Sequence, residues 1–401
     1  MIPVEEARTR ILDALRPTGA ESVALPEAWN RVLATPVHAR LTQPPADVSA
    51  MDGYAVRAAD ASQGARLRVT GSAPAGHPFS GRVGPGEAVR IFTGAVVPAG
   101  ADGILLQEDA MPEGGSVLVE EAVASGRWIR RAGLDFTAGD LLLPAGRQLT
   151  ARDIGLAAAA NHPWLSVHRQ PRIGILATGD EIVLPGEPLP PGGIVSSNAH
   201  ALAALVRAAG GVPLVLPIAR DDVNAIAAAA SEARFCDLML TTGGASVGEH
   251  DLIQQALGPQ GFALDFWKIA MRPGKPLIWG RLGQTPLLGL PGNPVSALVC
   301  GVLFLWPALA VLRGRPAAAP PLRPAILGTP LPQNDRREDY LRATVTRRED
   351  GVLQVTPASR QDSSMLRTLA GCDALIRRAP DAPGLDAGAW TEALILSELG
   401  I

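Results

Sequence analysis

The chain has little cysteine, little histidine and no surplus of either charge, and each shortage closes off a class of function. Three cysteines, Cys236, Cys300 and Cys372, are scattered and odd in number. They form no C-x-x-C pair and no disulfide framework, so buried reduced thiols are expected. Six dispersed histidines give no readable zinc site. Lys and Arg number 36 against 39 Asp and Glu, a net charge of −3. Without a basic excess, nucleic acid is not expected as a partner, and any anionic substrate must be held by a local site. The first residues carry acids early and lack an apolar run, so no signal peptide and a cytoplasmic location are expected. One stretch, 295–312, is apolar enough to resemble a membrane span of about 20 residues. It contains Pro307 and is flanked by soluble α/β patterns, so a buried helix is expected and no membrane. No internal repeat is evident.

The 401 residues suffice for two to four domains of about 100–200 residues each. Val4, Ala7, Ile11, Leu12 and Leu15 fall at helical spacing, which predicts an amphipathic helix over 3–16 stopped by Pro17 and Gly19. A second short helix is expected near 26–33. From about 41 to 149, Gly and Pro recur between short apolar runs at 67–70, 88–92, 103–107, 117–120 and 141–144. That texture predicts short strands joined by turns. From Pro171 strand–loop–helix units begin. Strands are expected at 173–176, 212–218, 237–240, 277–280 and 287–290. Helices are expected at 199–209, closed by Gly210 and Gly211, at 222–233, capped by Asp221 or Asp222, and at 250–257. This alternation argues for an open, mostly parallel sheet with helices on both faces and ligands outside the strands' carboxyl ends. A proline-rich linker over 313–324 leads to a small all-β C-terminal domain.

Chemistry-bearing residues cluster where strands end. Thr178-Gly179-Asp180-Glu181 follows an apolar strand, and two adjacent carboxylates there suit Mg²⁺, although Asp180 also reads as a plain turn residue. The segment 242–251, TGGASVGEHD, sets glycines and hydroxyls between a strand and a helix, a pattern for a backbone N–H anion nest. Neither a Walker loop nor a dinucleotide glycine pattern is present. Glu249 and Asp251 read either as caps or as acids beside such a nest. In MRPGKP, 271–276, Lys275 sits between prolines as a point charge suited to an oxyanion; LPGNP, 290–294, is a second stiff turn. Asp52 lies in an otherwise apolar loop, where an ordinary turn residue is the simpler reading.

Six motifs fall in order: SAMDGYA at 49–55, FTGA with PAGADGI at 92–104, TGDE at 178–181, TTGGASVGEHD at 241–251, MRPGKP at 271–276 and LPGNPVSA at 290–297. Together they resemble the molybdopterin molybdenumtransferase family, the bacterial MoeA type related to the gephyrin E domain. The resemblance implies a multidomain α/β plus β protein. A discontinuous α+β linking domain would comprise 1–40 and 135–168, and a β-rich N-terminal insertion domain 41–134. A molybdopterin-binding-type three-layer α/β domain would cover 169–316 and a C-terminal β-barrel 320–401. It further implies an elongated homodimer with a cleft between subunits, and transient contact with the molybdopterin adenylyltransferase and other proteins of cofactor biosynthesis.

The implied reaction consumes adenylylated molybdopterin and molybdate: with Mg²⁺ assisting, AMP leaves and molybdate joins the two dithiolene sulfurs. By motif match, Asp52, Glu181, Asp251 and Lys275 resemble catalytic positions, the three acids also being metal candidates. Thr93, Thr178, Gly179, Asp180, Gly243, Gly244, Ser246, Gly248, Arg272, Pro276, Pro291, Gly292, Asn293 and Pro294 resemble substrate-binding positions. Arg342 and Ser363, from Tyr340-Leu341-Arg342 and Gln361-Asp362-Ser363, resemble oxyanion contacts. The chain departs from the family pattern at Arg272, where many relatives carry lysine, at Ala245 for a common valine, and at Asp362 for a frequent glycine. Two other readings remain in view: an adenylyltransferase or nucleotide pyrophosphatase on the same α/β domain, and a non-catalytic scaffold. The N-terminal motifs weigh against the first, and Asp52, Glu181 and Lys275 against the second.

Overall fold

The computed structural model describes residues 1–243 and 247–401, the side chains of 247–251 excepted. Its central element is a six-stranded sheet, in the order Val212–Val215, Arg172–Ala177, Leu238–Thr242, Thr285–Leu290, Ile278–Leu282, Phe262–Trp267. The first four strands run parallel; the last two are antiparallel, and the edge strand Phe262–Trp267 was not anticipated. Side chains alternate across the sheet. Ile173, Ile175, Leu238, Leu240, Leu288 and Leu290 enter one core, and Leu176, Met239 and Leu287 enter the other. Helices α1 (Val4–Asp13), α2 (Ala151–Ala159), α3 (Asn198–Ala208), α4 (Val223–Ser231) and α5 (Val247–Leu257) precede the long apolar helix. The first core is closed by α1, α3 and the helix Pro294–Leu312, the second by α4 and α5. This is a three-layer α/β domain. Helix α4 starts where Asp222 accepts from the N–H groups of Asn224 and Ala225, which selects Asp222 over Asp221 as the cap.

The helix Pro294–Leu312 is 83% buried within the protein, as a core helix should be. Its middle turn, Gly301–Leu305, has π pitch, and Pro307 lies just beyond it. Proline cannot donate to the carbonyl four residues back, so the widened turn absorbs the mismatch.

Strand Ala20–Ala24 pairs antiparallel with Trp164–His168, joining segments far apart in sequence into the linking domain around Val23, Leu33, Leu143, Leu165 and Val167. Helix α2 is fastened there by a capping box between Thr150 and Asp153. Helix α1 differs from expectation. It packs Val4, Ala7 and Ile11 into the α/β core, because that is where its apolar stripe meets the helix Pro294–Leu312. The segment expected to be helical near 26–33 forms only one 3-10 turn, Leu25–Glu27.

The β-rich domain is a six-stranded sheet built from residues 53–119. It is entered and left through two segments that pair antiparallel at Val48–Ser49 with Ile129–Arg130 and again at Gln43 with Phe136. At the C-terminal end, strands Glu338–Arg347, Leu353–Pro357, Arg323–Leu327, Trp390–Ile395 and Ala374–Arg378 close on themselves, the last pairing with the first, to make a five-stranded barrel. Met271–Arg272 of the α/β domain adds as a short parallel strand to Glu338–Asp339.

Candidate active site

From the first strand, Arg172–Ala177, the chain passes to one neighbour, Val212–Val215, and then back to the other side at Leu238–Thr242. The connections diverge there, so a crevice opens outside the carboxyl ends of Arg172–Ala177 and Leu238–Thr242. The residues just beyond those strands are Thr178 and Gly243. A cleft of about 530 Å³ occupies this place, lined by Thr178, Glu181, Asn198, Gly243, Asn293 and Pro294 among others. That volume lies in the range of small-molecule sites.

The two loops are fitted to each other at backbone level. The Thr178 N–H donates to the Thr242 carbonyl at 3.1 Å. Gly243 has φ +86°, and a Cβ there would stand 2.5 Å from the Thr178 carbonyl oxygen. Only glycine permits both that conformation and that approach. Gly179, at φ +149°, similarly leaves room for the Glu181 carboxylate, which a Cβ would meet at 2.8 Å. Glu181 is exposed and lines the cleft, whereas Asp180 turns away and accepts the Asp221 N–H at 3.2 Å.

A residue that sequence reasoning passed over ties the cleft together. Asn198, first residue of α3, donates through Nδ2 to Thr242 Oγ1 at 2.9 Å and to the Gly292 carbonyl at 2.7 Å. It links the glycine loop to the LPGNP turn, and Ser196 and Ser197 line the cleft beside it. The signal was available: Ser-Ser-Asn before an apolar helix places polar side chains at a helix N-terminus.

Pro276, Pro291, Gly292, Asn293 and Pro294 all line the cleft. Lys275 is exposed beside Pro276, and its ammonium has no carboxylate partner among the described residues. The barrel reaches the same turn. Asn293 Nδ2 donates to Ser363 Oγ at 3.0 Å, and the Val295 N–H donates to the Ser363 carbonyl at 3.1 Å. Gln361 holds that loop to the Arg342 backbone, accepting its N–H at 3.0 Å and donating to its carbonyl at 2.9 Å. Arg342 is 1% exposed, and its Nε has no partner among the described residues. Burial pushes the Arg342 pKa down, with Cys372 and Asp362 opposing the shift.

Arg272 is not among the residues lining this cleft. Its guanidinium grips both carboxylate oxygens of Asp339, Nε donating to Oδ1 at 2.7 Å and Nη2 to Oδ2. It also reaches Asp335 at 3.3 Å and borders a second cavity, of about 500 Å³, against the barrel. Its charge is already spoken for by carboxylates, which sets it apart from Lys275.

Asp52 and Thr93 form a separate cluster in the β-rich domain, outside the residues lining the cleft of the same chain. The register Tyr54↔Arg90 brings Asp52 beside the turn that follows Ile91. Hydrogen bonds from the Thr93 N–H and hydroxyl hold the Asp52 carboxyl below its ordinary range, with a smaller contribution from Arg90. Arg90, also missed from sequence, packs its guanidinium 5.1 Å from the Tyr54 ring and 4.9 Å from the Phe92 ring. Gly244 and Ser246, and the side chains at Gly248, Glu249 and Asp251, lie outside the described residues. Among the described residues, no three His, Cys, Asp or Glu side chains gather as a metal cage.

Comparison with known proteins accounts for all three regions. Residues 2–161 match the MoeA N-terminal region (domain I and II), 174–311 a probable molybdopterin binding domain, and 324–396 the MoeA C-terminal region (domain IV). A molybdopterin molybdenumtransferase of Haemophilus influenzae is 35% identical over 395 residues, covering 97% of both chains. One from Nostoc is 41% identical over 303 residues, 73% of this chain and 70% of the relative. A solved structure titled a molybdopterin biosynthesis moea protein, from Pyrococcus horikosii, superposes with a TM-score of 0.86 at 29% identity, covering 98% of this chain and 99% of that one. The chain belongs to the MoeA family of molybdopterin molybdenumtransferases, transferases of molybdenum cofactor biosynthesis.

Proposed function

We propose that the cleft binds adenylylated molybdopterin, and that Mg²⁺-assisted release of AMP there accompanies transfer of molybdate to the dithiolene sulfurs. The observation that carries this reading is the placing of Glu181 beside Thr178 and Gly243, in a cleft also lined by Asn293, whose side chain donates to Ser363 of the barrel. The donor set fits Mg²⁺, which takes one or two protein carboxylates and fills its remaining positions with water and phosphate oxygens. Glu181 would hold the ion, which when bound supplies charge neutralisation to the phosphoanhydride. Asn198 fixes the spacing of the glycine loop and the LPGNP turn, so the phosphate end of the substrate meets a preorganised polar wall. Lys275 receives the oxyanion as a point charge with no carboxylate partner among the described residues, with Arg342 and Ser363 on the barrel side.

The same reading takes the protein as a cytoplasmic homodimer. Asp52 and Thr93 do not line the cleft of their own chain, and a second copy would deliver them. An adenylyltransferase is the expected transient partner, since its product is the substrate. Incubating the pure protein with adenylylated molybdopterin, Mg²⁺ and molybdate should release AMP and yield metal-loaded cofactor in equal amounts. AMP consumption instead, or substrate binding without turnover, would replace this reading with an adenylyltransferase or a scaffold.

A further inference from the structure

We propose that Arg272 is a positioning residue: its grip on Asp339 sets the two halves of the oxyanion site, one on the α/β domain and one on the barrel, at their working separation. This rests on the function proposed above.

The halves have a common root. Arg272 lies three residues before Lys275, and Asp339 lies three residues before Arg342 on one continuous strand, Glu338–Arg347. Between the two roots, Met271–Arg272 pairs in parallel with Glu338–Asp339, and the Glu338 N–H donates to the Ala270 carbonyl at 3.0 Å. The side chains repeat the link, since the Arg272 fork meets both oxygens of Asp339, a carboxylate that is itself 2% exposed. Further along, Gln361 clamps the loop carrying Ser363 to Arg342, and Ser363 closes on Asn293 and Val295. The arrangement is a loop of contacts, with Arg272–Asp339 at one end and Asn293–Ser363 at the other. A planar guanidinium fork defines both distance and angle at a carboxylate, which an ammonium cannot do. That gives a physical role to arginine at a place where lysine resembles the family pattern.

The test separates positioning from direct contact with the oxyanion. R272K, D339N and the double variant are compared by amide hydrogen exchange in ligand-free full-length protein, and by AMP release against molybdate concentration. Expected: exchange at 338–340 and 361–363 rises in each single variant. Half-maximal molybdate rises about tenfold, affinity for adenylylated molybdopterin is unchanged, and the double variant is no worse than the poorer single. If D339N does not fold, R272A carries the test, because a purely oxyanion-contacting arginine leaves ligand-free exchange untouched. Unchanged exchange in R272K and R272A overturns the proposal, as does an impaired R272K beside a normal D339N. If exchange rises but wild-type protein releases no AMP with molybdate, the positioning role stands and the proposed function falls.

Discussion

Asp52 accepts two hydrogen bonds from Thr93, one from its backbone N–H and one from its hydroxyl, both at 2.7 Å. A carboxylate held this way stays ionised and keeps one orientation. Because the native pKa is lowered, the favourable interaction is fully present above the ordinary carboxylate value of 3.8 and is lost as pH falls through the depressed one. Thr93→Val removes the hydroxyl bond only. The Asp52 titration midpoint, followed by carboxyl-carbon NMR, should move upward while the fold is retained. A midpoint that stays put would detach Thr93 from the acid. Asp52→Ala should fold normally and lose molybdate-dependent AMP release.

Glu181 is the carboxylate that lines the cleft among the described residues, and it is exposed. Glu181→Ala and Glu181→Gln should melt like the wild type and lose about 10²-fold or more in AMP release, the scale of removing one preorganised electrostatic group. Full turnover in either variant would end the role assigned to it.

Lys275 and Asn198 should separate the two substrates. Lys275→Ala is expected to raise the molybdate requirement more than it weakens pterin binding. Asn198→Ala loses the tie between the Thr242 and Gly292 loops and should do the reverse, with a stability cost of about 1–2 kcal/mol for its hydrogen bonds. Isothermal titration with each ligand decides the pattern; the opposite order would assign Lys275 to the substrate phosphate.

Gly243→Ala places a methyl 2.5 Å from the Thr178 carbonyl in a left-handed conformation. Strain of about 1–3 kcal/mol is expected. A lowered Tm and weakened binding of adenylylated molybdopterin should appear together, measured by calorimetry and titration. Wild-type values for both would show that the loops can part without consequence.

Much of this architecture was readable because it is local. Strands at 173–176, 237–240 and 287–290 appear as Arg172–Ala177, Leu238–Thr242 and Thr285–Leu290, since an apolar run bounded by glycine or proline carries its own signal. The strand Phe262–Trp267 was missed: half its residues are exposed, so its pattern lacks the buried periodicity. Other features depend on partners far along the chain. Nothing near Arg272 announces Asp339, and nothing near Asn198 announces Gly292; such pairings exist only after folding. Composition also bears on this loop. Only two of the 36 basic residues are lysines, Lys268 and Lys275, and they bracket the loop that carries Arg272. Where arginine serves nearly everywhere, a retained lysine marks a place suited to a compact, monodentate charge.

The stem formed by Val48–Ser49 and Ile129–Arg130 has a mechanical consequence. The Asp52–Thr93 acid rides on a module joined to the rest of the molecule by two connecting segments, which pair at Val48–Ser49 with Ile129–Arg130 and again at Gln43 with Phe136. The reach of that carboxylate therefore depends on the register in which these two segments pair. Inserting one residue into each stem strand would carry the acid away by roughly 3.3 Å, the rise of a strand residue, with both cores left whole.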